Sequence, residues 1–148
     1  MSTISVSSRD IAYAGDVSPR RAWEMLSESE SVVLVDVRTQ AEWDFVGVPD
    51  LDRLDKEPLL INWQVYPGMQ IHDGFVDELR ELGVRKNQSV LFLCRSGVRS
   101  RHAAERATEA GYRCCFNVSE GFEGDKDNAS HRGRIGGWKQ SGLPWRQD

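Results

Sequence analysis

The 148 residues suffice for one domain with a buried core, and the net charge of -4, from 19 Lys plus Arg against 23 Asp plus Glu, excludes a polycation built for nucleic acid or acidic membranes. The apolar 39% falls in discrete runs. None nears the roughly 18 residues of a membrane span, and no secretory pattern opens the chain. Three cysteines, two of them adjacent, exclude a disulfide scaffold; they point to a reducing, cytoplasmic setting with one reactive thiol.

In chain order, the first dozen residues read as peripheral. Ser18-Pro19 then forms a helix start, with Ser18 at the N-cap and Pro19 at N1, and the helix runs to about Ser29. Residues 32–36, VVLVD, form a short β-branched run suited to a buried parallel strand ending in Asp36. Thr39 and Glu42 have capping-box spacing for a helical turn through Phe45, which Gly47-Val48-Pro49-Asp50 breaks. Residues 59–62, LLIN, read as a strand, and residues 63–69, with Pro67-Gly68, as a connector. Phe75, Val76, Leu79 and Leu82 stripe a helix over 73–82 that Gly83 closes.

The clearest strand is VLFLC, 90–94. After it, Ser100 is placed as the cap of a helix to about Ala110, with Gly111 as its left-handed exit. CCFNV, 114–118, reads as a further strand, 119–137 as a long loop and 138–145 as a stretch that includes a short terminal helix broken by Gly142 and Pro144. Alternating strands and helices predict an α/β domain with an open, mainly parallel sheet covered by helices.

The chemistry concentrates in Cys94-Arg95-Ser96-Gly97-Val98-Arg99-Ser100, between a strand and a helix, where open α/β sheets bind ligands. A curled loop can aim its N–H groups at one anion, and a helix N-terminus adds positive potential. Arg95 and Arg99 supply two cationic forks. Such a cradle favours the Cys94 thiolate and equally a terminal sulfur anion after transfer, while an anionic donor such as thiosulfate could be held by the arginines. The competing structural reading makes Cys94 a buried strand-end cysteine and the arginines solvated surface charges. Cys114 and Cys115, on opposite faces of a strand, read as mainly structural. His72, His102 and His131 lack metal-site spacing with the cysteines, so no metal is expected. The basic loop His131-Arg132-Gly133-Arg134 is a candidate acceptor contact.

Residues 33–38 (VLVDVR), 90–100 (VLFLCRSGVRS) and 137–145 (GWKQSGLPW) resemble the single-domain rhodanese family of sulfurtransferases, and the likeness covers nearly the whole of 1–148 as one domain. The 121–136 segment is an insertion, and Gly47-Val48-Pro49-Asp50 departs from the family's GHIPGA-like motif. The resemblance implies about five mainly parallel strands with helices on both faces. It makes Cys94 the nucleophile and persulfide carrier and Arg95, Ser96, Gly97, Val98, Arg99 and Ser100 the anion-binding loop. Asp36 and Arg38 become supports of that loop; Glu42 also fits the pattern, though capping explains it locally. It implies a small anionic sulfur donor, a thiophilic acceptor, a possible sulfur-relay protein, and neither nucleic acid nor membrane as partner. No cofactor beyond the covalent persulfide is needed. The C-x4-R spacing from Cys94 to Arg99 is shorter than the C-x5-R of related phosphatases and favours sulfur transfer. A persulfide carrier without turnover, and phosphatase or arsenate-reductase chemistry, are the alternatives.

Overall fold

The apolar runs at 32–36, 90–94 and 114–118 become the middle of a sheet in the computed structural model, which describes residues 13–65, 70–124 and 136–147. Gly15–Val17 forms β1, Val33–Asp36 β2, Val48–Pro49 β3, Leu59–Leu60 β4, Gln64–Val65 β5, Gln70–Ile71 β6, Ser89–Leu93 β7, Cys114–Val118 β8 and Trp145–Arg146 β9. The α-helices are α1 (Pro19–Glu28), α2 (Gln40–Phe45), α3 (Phe75–Glu81) and α4 (Val98–Glu109). Five strands form an all-parallel sheet in the order β1-β8-β7-β2-β4, with β7 at its centre.

Side-chain alternation along these strands builds two cores. Val35, Val90, Phe92, Cys94 and Cys115 face α3 and α4, where Phe75, Leu79, Ala103, Ala104 and Ala107 pack on them. Leu34, Leu91, Leu93 and Val118 face the other way, onto Ala22 and Leu26 of α1 and onto Phe122, Trp138 and Leu143. Each fully buried Leu, Val or Phe contributes about 1.5–3 kcal/mol by leaving water. The three alanines of α4 let that helix approach β7 and β8 closely.

Local signals formed as expected at several places. Ser18 Oγ accepts from Arg21 N–H with Pro19 at the start of α1, and the Thr39–Glu42 capping box is complete. Gly83 and Gly111 leave their helices with φ of +88° and +104°. Other readings are corrected. α4 begins at Val98 with Gly97, not Ser100, at its N-cap, so Ser100 lies inside the first turn and is buried. Residues 138–145 are turns rather than a helix, and Trp145–Arg146 pairs antiparallel with Val48–Pro49. Gly47 makes that pairing possible, since a Cβ there would stand 2.6 Å from Arg146 O. Part of the 63–69 connector belongs to the β5–β6 hairpin. β1, an edge strand hydrogen-bonded to β8, had no clear signal in the sequence. Of the long loop at 119–137, residues 125–135, including His131, Arg132 and Arg134, lie outside the described residues.

Topology places a crevice at one point. The chain leaves β2 toward β4 on one side and leaves β7 toward β8 on the other. Loops that diverge from adjacent parallel strands open a cleft at the carboxyl ends of those strands. The segments there are 36–38 after β2 and 94–97 after β7.

Candidate active site

Cys94 follows the last residue of the central strand, with its sulfur on the α4 side of the sheet and 1% of the residue exposed. Gly97 N–H donates to Sγ at 3.1 Å. The Ser100 hydroxyl stands 3.2 Å from the same sulfur. Of the loop amides, Gly97's alone meets Sγ; those of Arg95, Ser96, Val98, Arg99 and Ser100 have no acceptor among the described residues. One loop amide is thus on the sulfur, and five stand free around the opening of α4, where the helix dipole favours negative charge.

The loop is curled by Gly97, whose φ is +109°. A Cβ there would collide with the carbonyl oxygen of Ser119, so glycine is required on two counts. From below, the 119–124 turn grips the loop's carbonyls. Phe122 N–H donates to Cys94 O at 2.8 Å, and the Glu123 and Gly124 N–H groups donate to Arg95 O at 2.9 and 3.1 Å. Gly121 is needed for the same approach, since a Cβ there would lie 2.5 Å from Arg95 O.

The two loop arginines differ. Arg95 is exposed, with no side-chain partner among the described residues. Arg99 is held by Glu42, with Nη1 and Nη2 donating to the two carboxylate oxygens at 2.7 and 2.9 Å. Its fork is therefore occupied rather than free, and only its remaining N–H groups can meet an anion. Burial would push the Glu42 carboxyl up, but the Arg99 hydrogen bonds and charge, with the Thr39 N–H, bring it down to about 2. Burial would lower Arg99, yet the same carboxylate raises it. Glu42 thus both caps α2 and ties that helix to α4. Ser96 is half-buried, and Val98 is 57% exposed at the loop's outer side.

Asp36 and Arg38 are both fully buried and form a two-pronged pair. Arg38 Nε donates to Asp36 Oδ1 at 2.9 Å and Nη2 to Oδ2 at 2.7 Å. Arg38 Nη2 also donates to Gly47 O at 2.6 Å, its guanidinium lies 4.3 Å from the Phe122 ring centroid, and Nη1 has no partner. Neither side chain hydrogen-bonds the 94–100 loop. They reach it through Phe122, whose amide holds Cys94 O, and through Val37 N–H, which donates to Leu93 O.

A polar chain that sequence reasoning missed continues from the sulfur. Ser100 Oγ–H donates to Asn117 Oδ1 at 2.5 Å, Asn117 Nδ2 donates to Asp16 Oδ1 at 3.1 Å, and Tyr13 OH donates to the same Oδ1 at 2.8 Å. Burial, then the Asp16 hydrogen bond, pushes the Tyr13 phenol up to about 12, which keeps it a donor. The available signal was a single Asn in the apolar run CCFNV, at a position facing α4. Cys115 is buried in the α4 core, and burial pushes its thiol up to about 11. His72 and His102 lie beside Glu78 and Glu105. No group of three or more His, Cys, Asp or Glu able to hold a metal occurs among the described residues, and no described helix is long and apolar enough to cross a membrane.

Comparison with known proteins places this geometry in a family setting. Residues 14–148 match the family model described as the STR4 middle domain. The crystal structure of Rv0390 from M. tuberculosis is 52% identical, covers 92% of this chain and 99% of its own, and superposes with a TM-score of 0.84. An uncharacterized protein of Rickettsia rickettsii is 38% identical over 130 residues, 88% of this chain and 95% of that protein. The thiosulfate sulfurtransferase GlpE of Actinobacillus pleuropneumoniae is 27% identical over 87% of this chain and 90% of its own length.

Proposed function

Since the chain belongs to the STR4 middle-domain family and has the rhodanese-like fold of the sulfurtransferase superfamily, we propose that it moves sulfane sulfur through a persulfide on Cys94. The carrying observation is the sulfur's setting. Sγ accepts from Gly97 N–H and faces the Ser100 hydroxyl, at the start of a helix whose first amides are free. Gly97 N–H and the Ser100 hydroxyl suit the thiolate before transfer, and the free amides suit the outer sulfur anion after it.

In the first half-reaction the Cys94 thiolate attacks the outer sulfur of thiosulfate. The new S–S bond forms as the old one breaks, and sulfite leaves with the bonding pair. In the second half, a thiophilic acceptor such as cyanide or a thiolate attacks the outer sulfur, and the Cys94 thiolate departs. Arg95, exposed at the rim, meets the incoming anion, while Arg99 shapes the loop through Glu42 and offers only its remaining N–H groups. Asp36 and Arg38 support the loop from behind Phe122. Five residues from Cys94 to Arg99 make a tighter ring than a phosphoryl group needs, which favours sulfur over phosphate chemistry.

The test is intact-protein mass analysis after thiosulfate exposure, paired with thiocyanate formation from cyanide. One added sulfur atom, lost in Cys94→Ser together with thiocyanate production, is the expected result. Cys94-dependent release of phosphate from an ester, without sulfur uptake, would overturn the reading.

A further inference from the structure

The Ser100 hydroxyl has one proton and two acceptors within reach, Cys94 Sγ and Asn117 Oδ1. Which acceptor receives it is decided two strands away. A carboxylate only accepts, so Asp16 Oδ1 must meet the amide nitrogen of Asn117, and that orientation turns Oδ1 toward Ser100. Tyr13 OH donates to the same carboxylate oxygen and holds it in place. Ser100 is fully buried and Asn117 is 4% exposed, so neither group can rely on water for a substitute partner.

We infer that Asn117, oriented by Asp16, governs whether the Ser100 proton serves the asparagine or the sulfur, and so acts as a positioning residue for Cys94. With the thiol protonated, Ser100 donates to Asn117 and offers its lone pairs to S–H. When the sulfur becomes a thiolate, the hydroxyl rotates to donate to it, and Asn117 Oδ1 gives up its donor. The sulfur anion is then stabilised by Gly97 N–H and Ser100 O–H together, against the loss of one buried hydrogen bond at Asn117. The inference rests on Cys94 as the sulfur-carrying nucleophile. Of the charged groups around this system, Arg99 pairs with Glu42 and Arg38 with Asp36, Arg95 is exposed with no side-chain partner among the described residues, and the charges of Arg101 and Glu105 act on Tyr13.

Asp16→Asn tests the relay without entering the core, because Asp16 is exposed. An amide at position 16 can present a donor, which lets Asn117 turn over and offer its own Nδ2 to Ser100 Oγ. The hydroxyl proton then has no competitor for the sulfur anion. Iodoacetamide alkylation of the full chain, followed on the Cys94 peptide by mass analysis, reads the effect. At pH 6.5 Asp16→Asn should alkylate about threefold to tenfold faster than the parent. In a Ser100→Ala background the same substitution should change nothing, since no hydroxyl remains to redirect. Asn117→Leu should accelerate alkylation in the same direction, with thermal melting confirming its fold. An unchanged rate in Asp16→Asn overturns the inference, as does equal acceleration with and without Ser100, which would mark a through-space effect of the lost charge. Thiosulfate uptake is scored separately: its absence sinks the sulfur-transfer reading while leaving this coupling measurable, and loss of the coupling leaves persulfide formation standing.

Discussion

Gly97 gathers several demands into one backbone position. Its N–H is on the Cys94 sulfur, its φ of +109° opens α4, and the Ser119 carbonyl fills the space a side chain would need. Gly97→Ala should lower stability by roughly 1–3 kcal/mol from the left-handed backbone alone. The collision with Ser119 adds to that, and sulfur uptake should fall with it. Urea denaturation and thiosulfate mass analysis of the same preparation check both effects. At this scale the sequence shows that Cys94, Arg95 and Gly97 share one loop between a strand and a helix, and is silent about their partners. The pairing of Arg99 with Glu42 joins positions 57 apart, and Asn117 lies 17 residues from Ser100. Such contacts depend on how helices lie on the sheet.

Glu42 links two elements, since its carboxylate closes the capping box of α2 and receives the Arg99 fork of α4. Its pH dependence follows from its low value in the fold. A carboxyl depressed from 4.5 to about 2 stabilises the native state fully above its unfolded value. That contribution, roughly 3 kcal/mol, is lost as pH falls from about 4.5 toward 2. Urea midpoints should therefore separate the parent from Glu42→Gln at pH 7 and draw together as pH falls through about 2. Elements governed by local chemistry were legible: α1 by Ser18 and Pro19, α2 by Thr39 and Glu42, and β8 to the residue. The start of α4 was misplaced because Ser100 is a good capping residue by type. The fold instead spends its hydroxyl on Cys94 and Asn117. β9 has no signal in the sequence because its partner, Val48–Pro49, lies about a hundred residues earlier and leaves no local mark.

Across the whole molecule, the chain's final stretch closes one core. Trp138 is fully buried, donates Nε1–H to Pro144 O at 2.7 Å and meets Trp23 of α1 edge-on, with ring centroids 6.0 Å apart. Arg20 of α1 donates to Ser141 O at 2.8 Å, and Gln147 Nε2 donates to Phe45 O at 2.6 Å, so the end of the chain binds α1 and α2 at once. Trp138→Ala should cost about 3–5 kcal/mol, a large part of the 5–15 kcal/mol typical of a domain, and urea denaturation measures it. The α/β class and the parallel sheet were legible because alternation of apolar runs dictates layers, and LLIN at 59–62 holds β4; strand order was not, since pairing between distant strands leaves no local mark and β1 is only three residues long. The 119–124 turn has a further consequence. Its amides are tied to the carbonyls of Cys94 and Arg95, so any opening of that loop away from the turn breaks those ties. Deuterium uptake at Phe122 and Glu123 should therefore keep time with each parting of loop and turn, making two ordinary peptide groups a clock for motion beside Cys94.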